Sequence, residues 1–222
     1  MKIIAHIHTD FDSKFGIPRQ SGLVESLRGE IVFEKEYRNL EAFRGIEEFS
    51  HLWLIWQFSL AVRTTWSPTV RPPRLGGEER VGVFASRSPF RPNPIGLSSV
   101  KLLSLDIRKD VGPVLVVSGA DMMDGTPIYD IKPYIAYADS HIDATGGFTD
   151  KVKARSLEVV FPEKLKKRVP EEKLDALIGV LSQDPRPRYQ DDSERIYGMS
   201  FANLDVKFRC EGERLFVLDI VS

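Results

Sequence analysis

The sequence predicts a mainly β protein, in which a strand-rich barrel or sandwich is followed by a small α+β domain. Short apolar stretches bounded by Gly, Pro, Asp and Ser dominate the first two thirds of the 222 residues. This part lacks the regular alternation of strands and helices that forms a doubly wound parallel sheet. The pattern changes after Phe148, where a long amphipathic helix accompanies further strand-like runs.

Seven stretches of the first part have the composition of β-strands, and one stretch is predicted to be helical. The helix is expected at residues 39–49, because Asn39 is a suitable N-terminal cap and apolar residues follow at helical spacing. The expected strands are residues 3–8, 30–36, 51–61, 80–85, 96–105, 114–120 and 128–135.

The second part is predicted to contain one long helix and several strands. Pro170 suits the start of a helix, and Glu171 and Glu172 place negative charge in its first turn. One apolar face follows, formed by Leu174, Leu177, Ile178 and Leu181. Strands are expected at residues 156–161, 196–210 and 214–221, with a hairpin turn at 211–213. The polar, Gly-containing stretch 139–150 is the expected linker, which gives domains at residues 1–147 and 148–222.

The composition is that of an ordinary globular protein, with 42% hydrophobic and 28% charged residues. Because 31 Lys and Arg nearly balance 32 Asp and Glu, a nucleic-acid site must come from local patterning. Cys210 is the single cysteine, which excludes an intrachain disulfide and a cysteine-based zinc site and favours a reducing compartment.

Neither a secretory signal nor a membrane span is expected. His6, His8 and Asp10 interrupt the apolar character of the first ten residues. The most apolar run, residues 52–62, contains polar side chains and is shorter than the roughly 20 residues that a membrane-spanning helix needs. We therefore expect a cytoplasmic protein.

The common catalytic signatures are missing: no stretch matches GxGxxG, GxxxxGK[ST], HExxH or GxSxG. His6 and His8 share one face of the first expected strand, so a metal site is one interpretation. Asp10 is the nearest acid in sequence and no third histidine is close. A structural histidine pair is therefore the favoured interpretation, and we expect no metal.

Residues 63–91 form an arginine-rich stretch without lysine. Six arginines against two acids give a formal balance of +4, and aromatic residues and prolines are interleaved. Guanidinium groups contact phosphate at two points and stack on bases, so an RNA surface is one interpretation. The alternative is that these arginines are solvated and balance the charge of acidic residues elsewhere in the chain. The arginines are Arg63, Arg71, Arg74, Arg80, Arg87 and Arg91, and the aromatic residues are Trp66, Phe84 and Phe90.

Residues 16–20, 50–53 and 121–127 combine turn-forming residues with polar side chains, and each alone is ordinary turn chemistry. Together with residues 71–77, 82–96, 130–134, 183–187 and 203–206, they closely resemble the TsaA-like family, which includes bacterial tRNA (adenine-N6)-methyltransferases. The resemblance covers nearly the whole chain in order. One departure is Arg188, where the family pattern leads us to expect a small residue.

The resemblance implies a β-barrel methyltransferase that is not of the Rossmann type and that uses S-adenosylmethionine. The implied substrate is N6 of threonylcarbamoyl-adenosine at position 37, beside the anticodon of threonine tRNA, and the implied assembly is a homodimer. Carried over by motif, the implied cofactor-binding residues are Pro18, Arg19, Gln20, His51, Leu52, Arg87, Leu97, Met123, Asp124, Gly125 and Thr126.

The residue types suit this chemistry. Arg19 or Arg87 can bind the cofactor's carboxylate, Asp124 can accept hydrogen bonds, and an apolar slot can hold adenine. We assign Arg71, Arg74 and Arg80 to the tRNA backbone. A carbamoyl group makes the N6–H acidic, so a base is expected, and His51 and Asp124 are open candidates. The rival functions are a non-catalytic RNA-binding barrel and a metal hydrolase built on His6 and His8.

Overall fold

The computed structural model of the chain describes residues 1–72, 75, 79–150, 156–186 and 192–221. Within these residues the strands form a closed six-stranded barrel, a four-stranded sheet and a two-stranded ribbon. The strands are β1 (Ala5–His8), β2 (Arg28–Phe33), β3 (His51–Gln57), β4 (Thr69–Val70), β5 (Val81–Gly82), β6 (Ile95–Arg108), β7 (Gly112–Ser118), β8 (Thr126–Pro133), β9 (Glu158–Val160), β10 (Tyr197–Phe201), β11 (Leu204–Glu211) and β12 (Arg214–Val221). The α-helices are α1 (Ala136–Asp139), α2 (Glu163–Lys166) and α3 (Glu171–Ser182).

The barrel has the strand order β1-β2-β7-β6-β3-β8 and closes because β1 pairs with both β2 and β8. All of its pairs are antiparallel. Alternation along β3 shows how the sequence builds it: Leu52, Leu54 and Trp56 are buried, and the residues between them are not. The predicted mainly β fold with an N-terminal barrel is thereby confirmed.

The C-terminal unit has the sheet order β10-β11-β12-β9, in which β9 runs parallel to β12. Helix α3 begins directly after Pro170, as predicted, and buries Ala176, Leu177, Val180 and Leu181. The small α+β unit expected from the sequence is therefore present.

The loop between β1 and β2, residues 9–27, belongs by packing to the C-terminal unit. Its Phe11, Val24 and Leu27 are buried in the same hydrophobic cluster as α3 and strands β10 to β12. A Cβ atom at Gly179 of α3 would overlap the Val24 side chain, so the small residue permits close approach of the loop. This β1–β2 loop carries Pro18, Arg19 and Gln20, so the C-terminal unit helps to position them.

Three local predictions are wrong. Residues 39–49 form two 3₁₀ turns, Leu40–Phe43 and Ile46–Glu48, because Gly45 between them has a φ of 84°. Asn39 still acts as a cap, since its side chain accepts a 3.0 Å hydrogen bond from the Glu41 N–H.

Residues 80–85 contain only the two-residue β5 and then a 3₁₀ turn, Val83–Ala85. Such a short apolar run does not distinguish a strand from a helical turn. Residues 196–210 contain a tight hairpin between β10 and β11, because Ala202 and Asn203 both adopt positive φ. Arg74, Gly76, Gly77 and Arg188 lie outside the described residues.

The described helices give no candidate for a membrane crossing. The longest of them, α3, has 12 residues, fewer than the roughly 20 that such a crossing requires.

Candidate active site

Several predicted site segments meet around the carboxyl group of Asp121. The Arg87 guanidinium donates to the side-chain carbonyl of Gln20, and its positive charge also acts on Asp121. The Ser21 N–H donates to the same carboxyl group, and Ser98 Oγ donates to Asp121 Oδ1 at 2.6 Å. We call Gln20, Arg87, Ser98 and Asp121 the Asp121 cluster.

A short chain of hydrogen bonds anchors this cluster inside the end of the barrel. Trp56 Nε1 donates to Ser98 Oγ at 3.0 Å, and the Ser98 hydroxyl in turn donates a hydrogen bond to Asp121 Oδ1. Burial raises the pKa of Asp121, whereas the Ser98 hydroxyl, the Ser21 N–H and the Arg87 charge act in the opposite direction. Asp121 is therefore a stronger base than a solvent-exposed aspartate.

Strand alternation explains why these residues meet. On β6, Gly96, Ser98 and Val100 are buried, so Ser98 occupies an inward position. A Cβ atom at Gly96 would overlap the Trp56 ring, and glycine leaves the space that the indole uses. Ser118 at the end of β7 pairs with Lys101 of β6, so the chain that continues from β7 brings Asp121 level with Ser98.

The loop that carries Asp124 is fixed to the end of β1. Asp124 Oδ1 accepts hydrogen bonds from the Thr9 N–H at 3.0 Å and from His8 Nδ1 at 3.1 Å. Because a carboxylate only accepts, His8 carries a proton on Nδ1. The backbone N–H groups of Asp124 and Gly125 donate to the carbonyls of Phe11 and Ile7 at 2.7 and 2.9 Å. Asp124 is thus held in place while its side chain stays half-exposed.

The remaining residues of this loop are positioned by local bonds. Gly125 has a φ of 71°, which favours glycine at this turn. Thr126 is buried, and its hydroxyl donates to the Met123 carbonyl at 2.7 Å. Met123 itself is partly exposed. The loop therefore presents Met123, Asp124 and the Gly125 backbone to solvent or a ligand.

Pro18, Arg19 and Gln20 lie near the end of a tightly supported turn. Pro18 is buried and Arg19 is exposed. Gly16 has a φ of 91°, and a Cβ atom there would overlap Met199 of β10. The close approach of loop and strand therefore depends on glycine.

The structure does not bring all predicted cofactor residues together within one chain. Leu52 pairs with Pro133, the last residue of β8, whereas Thr126 is the first residue of that strand. The length of the strand therefore separates Leu52 from Thr126 by roughly 20 Å. Leu52 is fully buried in the barrel core. His51 packs edge-on against Tyr134 and bonds Ser50 Oγ at 2.9 Å, and Leu97 points outward and is 58% exposed.

The arginine-rich stretch forms an exposed surface of cations and rings. The Arg63 guanidinium lies 4.1 Å above the Phe90 ring centre, and the Trp66 and Phe84 rings are 6.2 Å apart. Val70 of β4 pairs with Val81 of β5, which places exposed Arg71 beside exposed Arg80. We call this region the arginine–aromatic surface; its members are Arg63, Trp66, Arg71, Arg80, Phe84 and Phe90.

His6 and His8 lie on one strand face but pair with different carboxylates. His6 Nδ1 is 3.0 Å from Glu34 Oε1, and His8 contacts Asp124. Among the described residues, no group of three or more potential ligands is placed to hold a metal ion.

Sequence reasoning missed the two central members of the cluster. Asp121 belongs to the polar segment 121–127 that the sequence analysis identified, but nothing in the sequence indicates that Asp121 and Asp124 have different roles. Ser98 was detectable in principle, because a polar residue at an inward position of an apolar strand calls for a buried partner. The identity of that partner depends on the barrel topology.

Comparison with known proteins gives matches over nearly the full length. The model of the tRNA-methyltransferase O N-terminal domain matches residues 6–140, and that of the TrmO C-terminal domain matches residues 154–222. The tRNA (adenine(37)-N6)-methyltransferase of Escherichia coli K12 is 40% identical, over 97% of this chain and 96% of that protein.

Two further relatives agree. A Pseudomonas aeruginosa protein named as a putative S-adenosylmethionine-dependent methyltransferase, RcsF, is 37% identical, over 99% of this chain and 96% of its own. The crystal structure of TrmO from P. aeruginosa superimposes with a TM-score of 0.81 at 33% identity, covering 99% of this chain and 95% of that one. The chain therefore belongs to the tRNA-methyltransferase O family, the S-adenosylmethionine-dependent tRNA (adenine(37)-N6)-methyltransferases.

Proposed function

We propose that this enzyme methylates N6 of threonylcarbamoyl-adenosine at position 37 of threonine tRNA. The observation that carries the proposal is the Asp121 cluster beside the Asp124 loop. It combines a cation and two carboxylates beside the buried Trp56 ring, which a protein that only binds RNA would not need. The rival function, a non-catalytic RNA-binding barrel, needs only the arginine–aromatic surface.

The side chains present suit S-adenosylmethionine. Arg87 can bind the cofactor's carboxylate, and Asp124 and neighbouring carbonyls can accept from its ammonium and ribose groups. We propose that Pro18, Arg19, Gln20, Arg87, Met123, Asp124, Gly125 and Thr126 contribute to this binding. When bound, the cofactor supplies an electrophilic methyl group, and the protein's part is to align the acceptor and exclude water.

We propose that the arginine–aromatic surface binds the tRNA anticodon loop. Arg71 and Arg80 are exposed side by side and suit phosphate contacts. Trp66 and Phe84 are 55% and 75% exposed, and unstacked bases bind such rings. The arginines would thereby contact the phosphates of the tRNA backbone, and the aromatic rings would stack on unpaired bases of the anticodon loop.

We propose a homodimer in which His51 and the exposed Leu97 serve the cofactor site of the other copy, with buried Leu52 supporting them from the barrel core. The distance of His51 and Leu52 from the Asp124 loop in one chain, and the outward exposure of Leu97, support this arrangement. Mixing His51→Ala with Arg87→Ala tests it, because a mixed dimer holds one intact site. Partial recovery of activity on mixing supports the shared site, and no recovery contradicts it.

We further propose that residues 1–147 and 148–222 are the two domains of the chain and that the enzyme works in the cytoplasm, where tRNA is modified. The pattern change after Phe148 supports this division.

Titration calorimetry with S-adenosylmethionine separates the enzyme from the RNA-binding rival. We expect saturable binding that Arg87→Ala weakens. Arg214, which pairs with Glu158 on the C-terminal sheet, is the matched control, and Arg214→Ala should bind normally. Absence of binding at millimolar cofactor would leave the RNA-binding barrel as the better account.

A further inference from the structure

We propose that Asp121 is the base that accepts the N6 proton of the substrate during methyl transfer. The inference rests on the proposed function. In the step, the bond from sulfur to the methyl carbon breaks and its electron pair stays on sulfur. A bond forms between that carbon and N6, and the N6–H proton moves to a carboxylate oxygen of Asp121, from which it passes to solvent.

The reaction needs such a group for a chemical reason. The N6 lone pair of adenosine is delocalised into the ring, and a carbamoyl substituent withdraws it further. The same substituent makes the N6–H more acidic. Removal of the proton as the methyl group arrives therefore restores the nucleophilicity of the nitrogen.

The position of Asp121 meets the requirements for a base. Its carboxyl group accepts from the Ser21 N–H, the Arg87 charge acts on it, and the residue as a whole has intermediate exposure to solvent. Ser98 is 1% exposed, and its hydroxyl donates to one carboxylate oxygen of Asp121 at 2.6 Å. Trp56 Nε1 donates to the same hydroxyl and so holds it in place. A base held in one orientation by buried partners needs no rearrangement when the substrate arrives.

The electrostatic setting agrees with this role. Burial raises the pKa of Asp121, which strengthens the carboxylate as a proton acceptor. The Ser98 hydroxyl, backbone N–H groups and, to a smaller extent, the Arg87 charge act in the opposite direction and favour the ionised carboxylate.

The two earlier candidates fit the role less well. The Asp124 carboxylate is assigned above to the ammonium and ribose groups of the cofactor, and its Oδ1 also accepts from the Thr9 N–H and from His8. His51 Nδ1 bonds to Ser50 Oγ, and its ring packs against Tyr134, so both its ring nitrogen and its ring face are engaged by neighbours in its own chain. Asp121 therefore remains the candidate whose carboxylate is fixed by buried partners and is also influenced by the Arg87 charge.

The test measures single-turnover methylation of tRNA that carries threonylcarbamoyl-adenosine, at saturating cofactor and from acidic to mildly alkaline pH. The proteins are the wild type, Asp121→Asn, Ser98→Ala and the control Asp130→Asn. Asp130 is a half-exposed aspartate paired with Lys132 on β8. Circular dichroism confirms that each variant is folded, and calorimetry gives its cofactor affinity.

We expect Asp121→Asn to slow the reaction by about 10²- to 10⁴-fold and to abolish the rise of the rate with pH on the acid side. Ser98→Ala should stay active but shift that rise to higher pH, because the Ser98 hydrogen bond lowers the pKa of Asp121. A merely structural role would not move the pH profile. Asp130→Asn should match the wild type in both respects.

Three results would overturn the assignment while the wild type is active. They are a folded Asp121→Asn with a near-normal rate, an unchanged acid limb in that variant, or a defect confined to cofactor affinity. The last result would make Asp121 a cofactor ligand. If the wild type does not methylate this tRNA at all, the proposed function fails first, and the assignment falls with it.

Discussion

Lys173 on α3 holds the Asp10 carboxylate with its ammonium nitrogen 2.7 and 2.8 Å from the two oxygens. Asp10 lies two residues after the end of β1, near the start of the β1–β2 loop, and its carbonyl accepts from the Ala202 N–H at 2.9 Å. Ser200 Oγ donates to Asp12 at 2.9 Å. The C-terminal unit is therefore bonded to the loop that carries Pro18, Arg19 and Gln20.

Lys173→Ala is expected to lower the free energy of unfolding by about 1–3 kcal/mol, because Asp10 is left largely buried without its partner. The control is Lys166→Ala, whose partner Glu163 is exposed, and its effect should stay below about 1 kcal/mol. Urea denaturation measures both values. Equal effects of the two variants would show that the Lys173 pair does not hold the loop.

Gly16→Ala is expected to destabilise the protein and to weaken cofactor binding. Positive φ costs a residue with a Cβ atom about 1–2 kcal/mol, and the overlap with buried Met199 adds about 1–3 kcal/mol. Gly22→Ala is the matched control, because Gly22 also has positive φ but no atom lies within 4 Å of its would-be Cβ. The same loss in both variants would contradict a close contact between loop and β10.

Asp121→Asn is expected to raise the free energy of unfolding at neutral pH. Burial raises the folded-state pKa of Asp121, so the stability from its protonated form is fully present below the unfolded-state pKa. That stability is lost as pH rises through the folded-state pKa. The difference between variant and wild type should therefore vanish in acid and grow toward neutral pH. A destabilised variant at neutral pH would contradict the burial effect.

Asp139→Asn is expected to change the free energy of unfolding in the opposite direction, that is, to lower it at neutral pH. The Ile135 N–H and Trp53 Nε1 donate to Asp139 and lower its pKa, so its stabilisation is present above the unfolded-state pKa and is lost in acid. This variant should be less stable than the wild type at neutral pH, and the two should converge at low pH.

Substitution of an arginine assigned to tRNA and of the arginine assigned to the cofactor is expected to impair different binding steps. Arg80→Ala should weaken tRNA binding and lower the salt slope by about one unit, with cofactor affinity nearly unchanged. Arg87→Ala should do the reverse, and loss of a desolvated contact to the cofactor's carboxylate would cost roughly 2–5 kcal/mol. Filter binding across salt concentrations and calorimetry measure the two effects. If Arg80→Ala impairs cofactor binding as strongly as Arg87→Ala does, the assignment is wrong.

Unmodified adenosine at the same tRNA position is expected to be a poor substrate. It lacks both the acidified N6–H and the carboxylate of the threonyl arm. Methylation rates of matched modified and unmodified transcripts measure the difference. Equal rates would contradict the proposed role of the modification.

Local patterns were sufficient to predict much of the fold. A short apolar run identified β3, and Pro170 with the acidic first turn identified α3, because both signals lie within a few neighbouring residues. The hairpin at Ala202 and Asn203 was missed, since Ala rarely adopts positive φ and gives no turn signal. Resemblance to the family supplied the closed barrel, which strand composition alone did not separate from a sandwich.

The site was predictable by residue type and not by geometry. The resemblance named Gln20 and Arg87, and the structure shows them in contact. Asp121 and Ser98 emerged only from the pairing of β6 with β7, which sets two distant segments at one level. Long-range register of this kind has no signature in a single sequence.

The most direct test of the central claim is mass spectrometry of tRNA nucleosides after incubation with the protein and isotopically labelled S-adenosylmethionine. We expect one labelled methyl group on threonylcarbamoyl-adenosine of threonine tRNA, and none when Arg87→Ala replaces the wild type at limiting cofactor. A labelled methyl group on another nucleoside, or no methylation of a tRNA that carries the modification, would contradict it.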